Sequence, residues 1–216
     1  MNAPFELTFT VTFPEGLHVG AGFGFYSTID AVQRKRAGEE TPIVPATAVK
    51  GRLRYVLERL IATTGCCWME HKDVSDCSCP VCVLFGNIHK QGSARFADLE
   101  PVEEKEVKLS QHTGVVLDRR RGTAKPDLLY TYEYVAPLVM RTSIKGRMAL
   151  QNGIPDNLLC LALAVTNLDA FGGKKTVGKG RIGEVTIQSL KFNGEEWKDR
   201  WVKEASVKWA PSNATM

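Results

Sequence analysis

A segment near the end of the chain combines glycines with cationic side chains. Residues 172–183, GGKKTVGKGRIG, hold five glycines. Glycine lets a backbone approach a ligand closely, and lysine and arginine neutralise phosphates, so the segment is suited to bind a phosphate backbone. The alternative is an ordinary connection from a helix to a strand, with glycine as the helix cap. Its candidate RNA-binding residues are Lys174, Lys175, Lys179 and Arg181.

Two familiar phosphate-binding motifs do not fit this segment. A Walker A loop follows a strand and opens a helix, whereas this segment follows a predicted helix and precedes a predicted strand. The dinucleotide-binding glycine motif needs the same context and fails for the same reason. The residues therefore predict a cationic ribbon that follows a phosphate backbone rather than a nucleotide site.

Five of the six cysteines fall between residues 66 and 82. Three of them, at 77–82, have the spacing C-x-C-x2-C, which lets thiolates converge on one zinc ion. His71 is the predicted fourth ligand, and four protein ligands would make the zinc structural. Reduced thiols in a loop are the alternative. The candidate ligands, with the alternates last, are Cys77, Cys79, Cys82, His71, Cys67 and Cys66.

The cations of the chain are grouped, although the net charge is only +4. Further clusters lie at 34–36, 50–54 and 119–125. Clustered bases on a nearly balanced chain favour a polyanion track, and solvated surface charge is the alternative for any one cluster. Additional candidate RNA-binding residues are Lys50, Arg52, Arg54, Arg119, Arg120, Arg121 and Lys125.

Asp30 lies in a loop beside the basic run 34–36 and upstream of a predicted helix. An aspartate near a scissile phosphate can bind a divalent metal ion or help to activate a nucleophile. A turn or capping role is the commoner use of a loop aspartate. Composition alone favours that second role.

Hydrophobic periodicity predicts the elements that must position these residues. Alternation of apolar and polar residues predicts strands, and apolar residues at helical spacing predict helices. Two helices on one face of an antiparallel sheet give an α+β fold of the ferredoxin-like or RNA-recognition-like kind. The predicted strands are 5–13, 93–102, 136–150 and 183–194, and the predicted helices are 46–63 and 155–171.

The chain is predicted to be one domain, 1–216, with two insertions and a tail. The cysteine-rich insertion spans 65–90, a polar and basic insertion spans 105–133, and the tail after 195 has no clear pattern. Long insertions on a small scaffold tend to be functional.

Several stretches resemble the repeat-associated mysterious proteins, the RAMP superfamily. IVPATAVKGRLR (43–54) looks like the start of their first helix, and GGKKTVGKGRIGEV is similar to their glycine-rich loop. CPVCVLFG followed by ARFADLE is similar to the stretch after that helix. The segment 18–54 closely resembles the start of the backbone subunit of type III CRISPR effectors, and LDRRRGTAKPDLLYTYEYV looks like its thumb hairpin. The resemblance runs from about residue 6 to 192.

This resemblance implies a RAMP fold with palm, fingers and thumb, in which copies or relatives of the chain stack along a guide RNA. The thumb, 107–133, would wedge into the guide–target duplex at regular intervals. The cations at 50–54 and in the glycine segment would meet guide phosphates. The implied partners are guide RNA, target RNA and other RAMP subunits, including copies of this chain.

The resemblance also gives Asp30 a role, because it falls at the position of the aspartate that target-cleaving members need. It implies a metal-dependent endoribonuclease that uses a divalent ion such as Mg²⁺ and the 2′-hydroxyl of the RNA as nucleophile. Asp30 would help to orient that hydroxyl and the scissile phosphate. The alternatives are a structural backbone subunit without chemistry, a guide-processing endoribonuclease of the same superfamily, and a zinc-stapled protein-interaction module.

The sequence favours a cytoplasmic protein without a membrane partner. It contains no run of the roughly 18–20 apolar residues that a membrane helix needs. Its start, MNAPFELTFTVTF, lacks the basic-then-apolar layout of a secretion signal.

Overall fold

The computed structural model describes residues 1–21, 29–61, 77–104 and 107–209. Eight strands and four α-helices are found there. In chain order they are β1 (Asn2–Phe13), α1 (Ala46–Leu60), α2 (Pro80–Phe85), β2 (Ala94–Phe96), β3 (Glu100–Pro101), β4 (Leu109–Asp118), β5 (Thr123–Val135), β6 (Leu138–Ala149), α3 (Asp156–Thr166), β7 (Glu184–Phe192), β8 (Glu195–Glu196) and α4 (Trp201–Trp209).

The main sheet has the strand order β2-β6-β1-β7-β8, and β3 also pairs with β6. All of these pairings are antiparallel. Helix α1 follows β1 and helix α3 follows β6, so the main elements run β-α-β-β-α-β. This is the ferredoxin-like arrangement, and it confirms the predicted α+β fold class.

The core lies between one face of this sheet and the helices. Every second residue of β1 from Ala3 to Phe13 is buried, as the alternation of that strand predicts. The apolar stripe of α1 is buried on the same side, at Val49, Leu53, Val56 and Leu57. Helix α3 is apolar nearly all round, because α1, α2, β7 and α4 all contact it.

The strands β1, β6 and β7 differ from their predicted bounds by one to three residues at an end, and three elements differ more substantially. Helix α3 ends at Thr166 rather than 171, since the side-chain amide of Asn167 donates to the Leu163 carbonyl at 2.8 Å and caps the helix. The predicted strand 93–102 is two short strands, β2 and β3. The tail after 195, for which no pattern was predicted, contains β8 and α4. In α4, Trp201 and Ala205 lie one helical turn apart and are both buried.

Strands β4 and β5 form a separate two-stranded hairpin within the predicted insertion 105–133. Its register shifts between Val115 and Leu117, which leaves a bulge in the outer half of the hairpin. No helix in the described residues is long and apolar enough to cross a membrane.

Candidate nucleic-acid interface

The glycine segment is held against the turn that follows β1. The N–H of Gly173 donates to the His18 carbonyl at 2.8 Å, and the N–H of Gly180 donates to the Gly16 carbonyl at 2.8 Å. Gly172 and Gly180 both have positive φ, and a Cβ on either would collide with a backbone carbonyl oxygen. The glycines are therefore required for the close approach of two backbones. This segment, 172–183, is called the glycine loop below.

Two cations of the glycine loop lie over the aromatic face of β5. The Lys174 ammonium is 4.6 Å from the ring centroid of Tyr130 and 4.9 Å from that of Tyr132. The Lys179 ammonium is 3.9 Å from the Tyr134 centroid. These are cation–π distances, so both lysines tie the loop to the hairpin.

The tyrosine row of β5 is a functional feature that the sequence analysis missed. Tyr130, Tyr132 and Tyr134 alternate in YTYEY, a spacing that puts all three on one face of a strand. Tyr132 is buried, and His112 packs against it with ring centroids 5.2 Å apart. Burial, together with the neighbouring tyrosines, raises the pKa of Tyr132, so its phenol stays neutral beside Lys174.

The other two cations of the glycine loop, Lys175 and Arg181, are exposed. A short 3-10 turn, Lys175–Val177, and the left-handed backbone of Lys174 and Gly178 present this part of the loop to solvent. The loop thus has an anchored pair of lysines and an exposed pair of cations.

Asp30 lies beside the same hairpin. Its carboxylate oxygen Oδ2 accepts the backbone N–H of Thr131 at 2.6 Å, and its own N–H donates to the Thr131 carbonyl at 2.9 Å. The residue is exposed, and within the described ranges Oδ1 has no hydrogen-bond partner. The backbone of β5 therefore fixes the position of a carboxylate whose second oxygen is available.

Two of the three arginines of α1 are paired with acids. Arg52 forms an ion pair with Asp169, and Arg54 pairs with Glu58 at 2.9 Å. Desolvation alone would raise the pKa of Asp169, but the hydrogen bond and charge of Arg52, with backbone N–H groups, hold it below its usual value. At the start of α1, Asp98 accepts the Ala46 N–H at 2.6 Å, so a carboxylate of the protein itself lies at the helix N-terminus, where anions are favoured.

The remaining predicted cations are on the hairpin and on α1. Arg119, Arg120 and Arg121 form the exposed turn between β4 and β5, where Asp118 Oδ1 accepts the N–H groups of the last two. Lys125 is exposed in the bulged half of the hairpin, and Lys50 is half-buried on α1.

The open face of the main sheet differs from that of RNA-recognition domains, which stack bases on aromatic side chains. Among the described strands, its outward positions on β1, β6 and β7 carry no aromatic residue. They carry hydroxyls such as Thr8 and Ser143, and cations such as Lys145 and Lys191. In the described part of the chain, aromatic side chains that face cations lie instead on β5 and α1 and at Trp197, which faces Arg200.

Three cysteines converge at the start of α2. The Sγ atoms of Cys77, Cys79 and Cys82 all lie within 4.8 Å of one another, so they could hold a metal ion. Tetrahedral zinc with Zn–S bonds of about 2.3 Å has its sulfurs roughly 3.8 Å apart, so the donor set fits zinc. Cys79 Sγ also accepts the Cys82 N–H at 3.4 Å. The predicted fourth ligand and its alternates, His71, Cys67 and Cys66, lie outside the described residues.

The fold and this arrangement define a class: ferredoxin-like α+β domains with a glycine-rich cationic loop between the second long helix and the last long strand. The model of the RAMP superfamily matches residues 10–183, and the chain belongs to that superfamily. Membership suggests a CRISPR-associated, RNA-binding role. No match was found among curated proteins.

Proposed function

We propose that this protein is the backbone subunit of a type III CRISPR effector, stacks with its copies along a guide RNA, and cleaves target RNA through Asp30. The observation that carries the proposal is the meeting of three features on β5. The anchored lysines of the glycine loop lie over the tyrosine row of residues 130–134, and Asp30 is hydrogen-bonded to Thr131 in the same stretch.

The exposed pair Lys175 and Arg181 would bind phosphates, while Lys174 and Lys179 hold the loop against the hairpin. A loop that is ordered before it binds loses less conformational entropy on binding. Arg119, Arg120 and Arg121 at the hairpin tip would reach the guide–target duplex as the thumb. The protein would sense the RNA backbone, and base pairing would supply the sequence specificity.

Asp30 would act in cleavage by orienting the 2′-hydroxyl of the target RNA toward the adjacent phosphorus. Its Oδ2 is held by Thr131, so Oδ1 is the oxygen that would face the RNA. Oδ1 would also be a ligand of a divalent ion such as Mg²⁺, which usually takes one or two protein carboxylates and completes its shell with phosphate and water. When bound, the ion would stabilise negative charge at the cleaved phosphate.

Neutralising Lys175 and Arg181 tests the RNA path. We expect Lys175→Gln with Arg181→Gln to weaken binding of single-stranded RNA about tenfold, and to lower the slope of log K against log salt by about 1.4, because each phosphate contact contributes about 0.7. Fluorescence anisotropy over a series of salt concentrations measures both quantities.

The matched control neutralises two exposed lysines elsewhere, Lys191→Gln with Lys203→Gln. Lys191 is near the far end of β7, away from the glycine loop. Equal loss of affinity in both double variants would mean that RNA responds only to net charge. In that case the glycine loop would not be the RNA path.

We further propose that Cys77, Cys79 and Cys82 hold a structural zinc ion. We expect Cys77→Ser to remove zinc from the purified chain and to lower Tm by several degrees, at about 2–4 °C for each kcal/mol lost in a domain of this size. Elemental analysis gives the zinc content, and calorimetry gives Tm.

Cys160→Ala is the control for this substitution, because Cys160 is buried in α3 and is not part of the cysteine cluster. It should keep its zinc. A Cys77→Ser chain that retains one equivalent of zinc would rule out the proposed site.

A further inference from the structure

A cavity of about 310 Å³ lies between α1 and the chain that leaves α3. Its polar and aromatic lining consists of Arg52, Tyr55, Arg59, Asn167 and Asp169. The volume is at the lower end of that of pockets that bind small ligands. The cavity is called the Tyr55 cavity below.

The wall of the cavity formed by α1 carries three planar groups, the Tyr55 ring and the guanidinium groups of Arg52 and Arg59. The Tyr55 ring is exposed, with the Arg52 guanidinium carbon 4.9 Å and the Arg59 guanidinium carbon 5.6 Å from its centroid. Arg59 also donates to the Tyr55 hydroxyl at 3.0 Å, which fixes the ring. Tyrosine rings and guanidinium planes are the groups on which proteins stack unpaired RNA bases.

The opposite wall presents hydrogen-bond acceptors. Asp169 Oδ1 is occupied by Arg52, and the amide nitrogen of Asn167 is occupied by the Leu163 carbonyl. The Asp169 carboxylate also accepts the backbone N–H groups of residues 169 and 170, but a carboxylate has about four acceptor positions, so it and Asn167 Oδ1 can still accept hydrogen bonds from a ligand. The acceptors of this wall select an occupant with donors at its edge, and the ring and guanidinium planes of the other wall select a planar one.

Guanine fits this requirement better than the other bases. Its Watson–Crick edge has two adjacent donors, N1–H and N2–H₂, whereas uracil has one donor and adenine and cytosine each have one amino group there. Arg52 Nε is buried and, in the described part of the chain, has no hydrogen-bond partner. Guanine carries the acceptor O6 beside its donors, and O6 could accept a hydrogen bond from Arg52 Nε after a small shift of the Arg52 side chain.

The segment that forms one wall of the Tyr55 cavity is hydrogen-bonded to the glycine loop. The Asp169 carbonyl accepts the Ile182 N–H at 2.9 Å, and Ala170 pairs with Arg181 as an isolated bridge. A strand whose phosphates contact Arg181 would thus lie near Ala170, which is next in sequence to the cavity residue Asp169.

We propose that the Tyr55 cavity binds an unpaired guanine base of the RNA that the glycine loop holds, by stacking on Tyr55 and hydrogen bonding to Asp169 and Asn167. This inference rests on the proposed function only for the source of the base. It adds a base-reading site to a surface otherwise assigned to backbone contacts.

The test compares two RNA probes with the full-length chain: an oligouridine, and the same oligomer with one central guanosine. We expect the guanosine probe to bind about tenfold more tightly, since hydrogen bonds to a two-donor edge discriminate between bases on that scale, whereas either base can stack. Tyr55→Leu should abolish the preference, Tyr55→Phe should keep most of it, and Asp169→Asn should abolish it by replacing an acceptor with a donor. Circular dichroism melts verify that each variant is folded.

The outcomes separate this inference from the proposed function. Equal, salt-dependent binding of both probes overturns the guanine site and leaves the RNA path standing. A preference for guanosine that survives in folded Tyr55→Leu and Asp169→Asn chains also overturns it. Binding of neither probe overturns both proposals, and Tyr55-dependent binding of the guanosine probe alone supports the cavity while it removes the backbone path.

Discussion

Replacing Asp30 with alanine in the assembled effector is expected to reduce target RNA cleavage by about 10²–10⁴-fold, the usual contribution of a positioned proton-transfer or orienting group. Binding of guide and target RNA should be unchanged, because the proposed phosphate contacts are made by the glycine loop and the hairpin tip. The measurement is a single-turnover cleavage assay on labelled target RNA, with a filter-binding assay in parallel.

Asp30→Asn is the matched variant, and it separates chemistry from structure. The asparagine Oδ1 can still accept the Thr131 N–H, so the local backbone should stay in place. If Asp30 acts through its charge, Asp30→Asn should lose cleavage about as completely as Asp30→Ala. If the only role of Asp30 is to accept the Thr131 N–H of β5, the Asp30→Asn effector should cleave target RNA normally. Full cleavage by both variants would favour the alternative of a scaffold subunit without chemistry.

The elements of the fold were largely predictable because the spacing of apolar residues along the chain indicates which positions of a helix or strand are buried. The alternation in β1 corresponds residue by residue to its buried face. The predicted end of α3 was wrong because Leu168, Ala170 and Phe171 are buried although they lie beyond the helix. Apolar residues therefore continue into an irregular segment, and periodicity alone does not mark the change.

The candidate site was less predictable because its contacts join distant parts of the chain. Arg52 and Asp169 are 117 positions apart, and no sequence pattern around either residue indicates that the two pair. The sequence indicated that the cations of the glycine loop could bind phosphate, but it did not divide them into an anchored and an exposed pair. That division depends on the tyrosines of β5, which reach the loop only through tertiary packing.

Gly180→Ala is expected to lower the free energy of unfolding by about 3 kcal/mol or more. Its φ of +74° is a conformation that costs an alanine roughly 1–3 kcal/mol. A Cβ would also collide with the carbonyl oxygen of Phe171, the residue immediately before the loop. The backbone must then move, which would break the hydrogen bond from Gly180 to Gly16. Urea unfolding measures the change.

Gly178→Ala is the control, because φ there is +88° but a Cβ would meet only the Glu15 side chain at 3.9 Å. It carries the conformational cost without the collision, so the difference between the two variants isolates the close approach of the backbones. The Gly180→Ala variant should also bind RNA more weakly than the Gly178→Ala variant, since only Gly180→Ala displaces Lys179 from Tyr134. Equal stability and equal affinity of the two variants would mean that the glycine loop can leave the turn at little cost, and its cations would then not be held in place before RNA binds.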